Sequence, residues 1–245
     1  MTSAADRGAV VVTGASRGIG FAVCRTLWSN GYDVIGVART RPEQWGGGAF
    51  MEADLTSAED VSRVVEAIGQ LPSVWGLVND AGRGLDQSLD GLVEADLAAV
   101  LQLNTVVPAT LAAACVRRMN DGGRIVNIGS VVALGAPNRT AYGASKAALA
   151  SMTRTWALEL ASRGITVNTV APGPIETELF RTYNPVGSER ERAYLAQIPV
   201  RKFGQTDDLA ELIGLILSPS MAYLTGQTIY FDGGFTVGQI GRAHV

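Results

Sequence analysis

This chain is nearly without histidine and lysine. Its only histidine is His244, next to the last residue, so a histidine general base or a histidine-built metal site has almost no material here. Cys24 and Cys115 lie far apart in stretches of helical pattern, without metal-ligand spacing, and read as buried free thiols in a reducing compartment. No apolar run approaches ~18 residues, and a short polar leader runs directly into the first apolar segment. Neither a membrane span nor a secretory signal is therefore expected. A net charge of -3 and a pI near 5.3 also argue against nucleic acid as a partner, because pairs such as Arg39/Arg41 and Arg117/Arg118 are too small to neutralise a run of phosphates. The expectation is a cytoplasmic protein without a metal.

What the chain does have is glycine and short apolar runs. Its 245 residues are 47% hydrophobic and include 29 glycines, with no repetitive window and no linker, enough for one large core crossed by many tight turns. Residues 9–13 form a continuous apolar and β-branched run, as a strand buried on both faces should, and TGASRGIG follows at once at 13–20. A helical pattern with Ile19, Val23, Leu27 and Trp28 on one side stops at Asn30-Gly31. A second apolar run at 34–38 completes a βαβ unit. Glycines in such a turn let the backbone approach a pyrophosphate, which the helix N-terminus attracts. The second strand ends in Arg39 rather than a carboxylate, and Arg17 lies inside the glycine turn. Two cations of this kind suit a 2'-phosphate, so the residues read as a site for NADP(H).

The alternation continues with a short strand at 49–53 leading to Asp54, a helix over 58–68, and a strand at 74–78 ending in Asn79-Asp80-Ala81-Gly82. A long helix over 97–119 carries Asn104, and a strand at 124–128 ends in Gly129-Ser130. A helix over 140–162, a strand at 166–170, a helix over 207–217 and a strand at 228–231 complete the series. This order predicts an α/β fold, a single-domain doubly wound parallel sheet of Rossmann type, with helices on both faces. Residues 175–205, including a charged helix over 188–197, interrupt the rhythm after a strand's C-terminal end, where a substrate lid is expected.

Tyr142 and Lys146 stand four residues apart, so one helical face carries both and the ammonium can lie beneath the phenol. A free phenol is a poor acid-base catalyst at neutral pH, and an adjacent fixed cation favours its ionised form. Only two lysines, Lys146 and Lys202, occur against eighteen arginines, which makes a lysine at this position less like random surface charge.

The last six residues are expected to be foreign to the domain, which would then span 1–239. Residues 240–245, IGRAHV, are what ATC GGA AGA GCA CAC GTC encodes, a string that matches a widely used sequencing-library adapter.

Taken together, TGASRGIG at 13–20, Asp54, NDAG at 79–82, Asn104, Ser130, YGASK at 142–146, PGPIET at 172–177 and GQTIYFDGG at 226–234 resemble the short-chain dehydrogenase/reductase family. Within it, the chain is most similar to the bacterial 3-oxoacyl-[acyl-carrier-protein] reductase type. The resemblance covers about residues 8–238 and implies an NADP(H)-dependent enzyme interconverting a carbonyl and a secondary alcohol, assembled as a homotetramer. It implies that Tyr142 gives a proton to the substrate oxygen, that Lys146 eases ionisation of the phenol and holds the nicotinamide ribose, that Ser130 binds the carbonyl oxygen, and that Asn104 holds a relay water. It further implies cofactor contacts from Gly14, Ser16, Arg17, Gly18, Ile19 and Gly20 in the turn and from Arg39 beyond it. Asp54 with Leu55 would meet the adenine, Asn79 its ribose, and Ala81 and Gly82 would line the same strand end. Pro172, Gly173, Ile175 and Thr177 would approach the nicotinamide.

Two positions depart from the family pattern. The turn after the fourth strand usually reads NNAG, and Asp80 replaces the second Asn, so a local hydrogen bond should be rewired. Of the basic pair expected to dock acyl-carrier protein near the site entrance, Arg163 matches one member but the other falls on Asp121, with Arg117, Arg118 and Arg124 as candidates to compensate. The substrate is expected to be a 3-oxoacyl thioester of acyl-carrier protein or CoA, with a small ketone, a sugar or a cyclic alcohol as alternatives. A catalytically silent NADP-binding regulator is the reading from another class.

Overall fold

A computed structural model describes residues 7–240 of the chain. Strand β1 (Ala9–Thr13) is buried throughout and its valines alternate between two cores: Val10 and Val12 face one side of the sheet, Val11 the other. Helix α1 (Gly18–Ser29), β2 (Val34–Ala38), β3 (Phe50–Glu52), α2 (Ala58–Gly69) and β4 (Val74–Asn79) follow in the expected order. α2 begins at Ser57, whose hydroxyl accepts from Asp60 N–H, and carries Glu59 and Asp60 in its first turn, where the helix dipole favours them.

The next segment differs from the expected single helix over 97–119. Helix α3 (Glu94–Leu101) passes into a π-helical turn, Gln102–Val106, and then into α4 (Val107–Val116). Strand β5 (Met119–Ile128) starts earlier than the apolar run, because Met119 already pairs with Val74 before the register shifts and Gly76 meets Arg124. Gly122, at φ +81°, sits in that irregular stretch. Glu94–Val116 is long and apolar enough to cross a membrane, but half of its apolar window is buried here, with α4 packed on α2 and α3 on α5 (Thr140–Leu160).

After α5 come β6 (Thr166–Pro172), β7 (Ile175–Glu176), α6 (Glu178–Tyr183), α7 (Glu189–Gln197), β8 (Gly204–Gln205), α8 (Thr206–Leu217), β9 (Thr228–Phe231) and α9 (Phe235–Ile240). Seven parallel strands stand in the order β3-β2-β1-β4-β5-β6-β9, with the order reversing between β1 and β4. One face is covered by α1 and α8, with Leu27 and Ile213 on Val12, Val78 and Val126. The other is covered by α2, α4 and α5, with Ile68 and Leu111 among Val11, Leu77 and Ile125. This is the doubly wound architecture expected, and a ligand belongs outside the strand ends where the order reverses. Of residues 240–245, only Ile240 falls within the described range, so the foreign-tail expectation and His244 lie outside it.

The excursion after β6 is more ordered than a loop. β7 and β8 pair in parallel, with Ile175 beside Gly204, and fasten its two ends together. Arg181 bridges Glu176, at 2.7 Å, and Glu191, while Phe180 packs edge-on against both Tyr194 and Phe203.

Candidate active site

The glycine turn is closed on its inner side and open on its outer side. A Cβ on Gly14 would lie 2.9 Å from Asp80 Oδ2 and 3.0 Å from Ala81 N, and one on Gly20 would lie 2.5 Å from Gly14 O. Gly14 and Gly18 also hold φ of +71° and +59°, which side chains with a Cβ rarely adopt. On the outer side, a Cβ on Gly18 would meet only the Thr177 methyl, at 3.8 Å. Helix α1 starts there with Arg17 as its N-cap, without a side-chain cap and with no acidic residue in its first turn. Apart from Gly20 N–H, which donates to Asp80, the helix's first N–H groups and its positive dipole end therefore face the cleft. Arg17 and Arg39 are both exposed, and among the described residues neither forms an ion pair.

Contacts then run inward from the turn. The Thr13 hydroxyl accepts from both Asp80 N and Ala81 N at 3.1 Å, holding the end of β4 against the end of β1. One step further, a Cβ on Gly82 would come within 3.1 Å of Asn104 Oδ1 and 3.6 Å of Lys146 Nζ, so this glycine lets the strand end approach the site floor. Lys146, only 4% exposed, donates to Ile128 O at 2.7 Å, and its ammonium lies 5.7 Å from the Tyr142 ring centroid. The one-face placement expected from the spacing is thus realised. Ser130 caps the 3-10 turn Val131–Leu134 and its Oγ accepts from Val132 N at 3.2 Å, which leaves its own hydrogen free to donate.

Asn104 is placed by the π-helical turn, a device common at functional sites. Its side chain is held firmly: Oδ1 accepts from Arg83 N at 2.9 Å, and Nδ2 donates to Arg83 O at 2.9 Å and Ser145 Oγ at 3.0 Å. Ser145 in turn donates to Tyr142 O at 2.7 Å. Both amide hydrogens are thus taken, and Oδ1 accepts one bond of the two it can. Asn79 ends β4 beside the glycine turn. Its side chain is buried: Nδ2 donates to Asn127 Oδ1 at 2.8 Å, within a chain that continues to Thr153 and Thr169, while its own Oδ1 has no partner among the described residues.

Asp54 accepts from Thr56 N–H and Thr56 Oγ1 at 3.0 and 2.8 Å. These bonds, more than the Arg39 charge nearby, hold its carboxyl below the usual range. Leu55 is buried next to it. Gly173 N donates to Phe231 O, Ile175 is buried, and Thr177 caps α6 through Phe180 N. Ser16, Ile19 and Pro172 stand at the same strand-end rim, on the turn and at the end of β6.

The profile of the family described as Enoyl-(Acyl carrier protein) reductase matches residues 14–236. A 3-oxoacyl-[acyl-carrier-protein] reductase FabG from Vibrio cholerae is 37% identical over 235 residues, which cover 91% of this chain and 95% of that protein. The chain belongs to the short-chain dehydrogenase/reductase family. A short-chain dehydrogenase from Francisella tularensis superposes with a TM-score of 0.86 at 32% identity, covering 94% of this chain and 99% of that one. A blue fluorescent protein from a metagenomic library, solved in complex with NADPH, gives 0.84 at 34% identity, covering 93% and 97%. Membership in the short-chain dehydrogenase/reductase family makes this chain an oxidoreductase that works with a nicotinamide cofactor. The open outer side of the glycine turn and the α1 N-terminus, which Arg17 does not cap, fit the diphosphate of such a molecule.

Two of the candidate docking arginines are engaged within the chain. Arg163 Nε pairs with Asp121 at 3.0 Å while its other nitrogens donate to Val116 O and Met119 O. This pair lies at the far end of α5 from Lys146, about 25 Å away at helical rise, not at the entrance of this chain's own site. Arg124 is 2% exposed, stacks 5.3 Å from the Trp75 ring and donates to Ser218 O and Pro219 O, so it cannot meet a partner. Thr13, Ser145 and the main chain of Arg83 were not anticipated. Only Thr13, a hydroxyl at the junction of strand and glycine turn, carried a local signal.

Proposed function

We propose that this enzyme is an NADP(H)-dependent reductase of the ketone in a 3-oxoacyl thioester. The observation that carries the reading is the floor itself: a Ser130 hydroxyl with its hydrogen unassigned, beside a helix whose Tyr142 and buried Lys146 share a face, reached by contact from the glycine turn. The nicotinamide supplies hydride in the reducing direction and accepts it in the other. As charge develops on the carbonyl oxygen, Ser130 donates a hydrogen bond to it and Tyr142 delivers a proton. Lys146, held by Ile128 O, presents its remaining hydrogens to the phenol side and to the cofactor ribose. Exposed Arg17 and Arg39 recognise a 2'-phosphate, and the solved relative bound to NADPH supports that preference.

The relatives' names point to a 3-oxoacyl substrate, whereas the family profile is described by an enoyl reduction. Two oxygen-directed donors, Ser130 and Tyr142, favour a carbonyl over a carbon-carbon double bond. Because Arg163 is neutralised by Asp121 and Arg124 is buried, the carrier protein should contribute little to recognition. We further infer a homotetramer in the cytoplasm, with residues 175–205 acting as the substrate lid.

The test is NADPH consumption with acetoacetyl-CoA, acetoacetyl-carrier protein, crotonyl-CoA, simple ketones, a sugar and a cyclic alcohol. Turnover of both acetoacetyl thioesters with kcat/KM values within a few-fold of each other is expected. Turnover of crotonyl-CoA alone would favour the enoyl reading, and NADPH binding without turnover of any would favour a silent binder.

A further inference from the structure

Asp80 is the one carboxylate built into the floor of the glycine turn. It stands just after β4, reaches across to β1 and α1, and places Oδ2 within 2.9 Å of where Gly14 would carry a Cβ and 2.8 Å of the same point on Gly20. Its carboxylate accepts the N–H of Gly20, the third residue of α1. Arg17 cannot cap this helix and its first turn holds no acid, so the acceptor that an N-cap side chain usually supplies comes instead from a different strand. An anion at this spot sits in the field of the same helix end that a diphosphate would use.

We propose that Asp80 is a positioning residue that caps α1 from outside and places a negative charge beneath the diphosphate site, so that binding the dinucleotide takes up a proton at Asp80. The inference rests on the cofactor reading above and concerns how this chain tunes that site. The titratable side chains that face Asp80 are Lys146 from α5, which opposes its charge, and Cys24 from α1, whose thiol burial keeps neutral; β1 presents only Thr13 and Gly14. Burial outweighs Lys146 and the Gly20 hydrogen bond and pushes the carboxyl up to about 6, so it is mostly ionised at neutral pH in the free protein. A bound diphosphate is a second anion nearby and moves the carboxyl further toward its neutral form. By linkage, each proton taken up on binding weakens the dinucleotide as pH rises.

The experiment is calorimetric titration with NADPH near pH 7 in two buffers of different ionisation heat, on the wild-type protein and on Asp80→Asn. Wild type should take up a substantial fraction of a proton that the variant does not. The ratio of wild-type to variant Kd should rise from near one at pH 5 to roughly tenfold at pH 8, as expected for one charge pair at a partly screened site. The 2'-phosphate of NADPH titrates in the same range but cancels in that ratio. A role in shape alone would leave the wild-type to variant Kd ratio the same at every pH, and that result, or equal proton uptake, overturns the proposal. Should the variant fail to fold, titration of the wild type with NADH, which lacks the 2'-phosphate, still reads the uptake, and its absence is decisive. Wild type that binds neither dinucleotide overturns the cofactor reading itself, which separates the two failures.

Discussion

The floor of the site and its rim are held in different ways. On the floor, Lys146, Asn104 and Ser130 are all under 10% exposed, and each is fixed by a hydrogen bond to main chain: Ile128 O, both groups of Arg83, and Val132 N. On the rim, Arg17 and Arg39 are exposed, and the excursion over 175–205, the proposed lid, is joined by ion pairs among its own residues, Glu176, Arg181 and Glu191. Groups aimed by buried main-chain bonds are in place before a ligand arrives, as stabilising developing charge requires. Groups on the rim are screened by solvent and adjustable, which suits the choice of ligand rather than the bond-making step.

The comparison predicts that floor changes strike turnover and rim changes strike preference. Tyr142→Phe should lower kcat by at least about a thousandfold, since the proton donor is removed, while the NADPH Kd stays within about twofold. Steady-state kinetics beside fluorescence titration checks both, and a variant that still turned over would remove Tyr142 from the mechanism. On the rim, Arg39→Asp should shift the NADPH to NADH preference in kcat/KM by about a hundredfold, with kcat on the preferred cofactor little changed. An unchanged ratio would put the 2'-phosphate elsewhere.

The same division governs what the sequence discloses. β1, the glycine turn and α1 are legible because a buried parallel strand must be apolar on both faces and the turn after it must be glycine where φ is positive. Tyr142 and Lys146 are legible because four residues make one helical turn. The π-helical turn at Gln102–Val106 has no such mark: residues QLNTV suit an ordinary helix, and the shift to i→i+5 bonding shows only when Asn104 finds Arg83 and Ser145. The early start of β5 is similarly hidden, since Met119 joins the sheet through its pairing with Val74 and not through a pattern of its own. That Asp121 breaks the basic pair is legible in the sequence, but that it binds Arg163, which also donates to two carbonyls, shows only in the fold.

The lid sharpens the contrast from the other side. Arg181 joins β7 to α7 through Glu176 and Glu191 and lies 5.2 Å from the Phe203 ring, so Arg181→Ala should loosen both ends at once. The expected result is a KM for the acyl thioester raised about tenfold with kcat held within about twofold, because the floor is untouched. An equal fall in kcat at unchanged KM would mean that the lid helps to aim the reacting groups.

Asp80 breaks the division, because it is a rim-type charge in a floor-type position. Its carboxyl is pushed up to about 6 in the folded chain, against ~3.9 when unfolded. Below pH ~4 both states hold the proton and the group is neutral in the balance. Between pH ~4 and ~6 the unfolded chain releases a proton that the folded chain retains, so folding stability falls as pH rises and then levels off, at a cost of up to ~3 kcal/mol. Asp80→Asn removes that dependence but replaces a charge-assisted bond to Gly20 N–H with a weaker neutral one, which offsets about two-thirds of the gain. The net expectation near pH 7.5 is about 1 kcal/mol of added stability, a Tm higher by about 3 °C, with the advantage gone or reversed by pH ~4.5. Thermal melts of the cofactor-free protein at both pH values measure it, and a Tm difference independent of pH would show that the carboxyl does not titrate in this range.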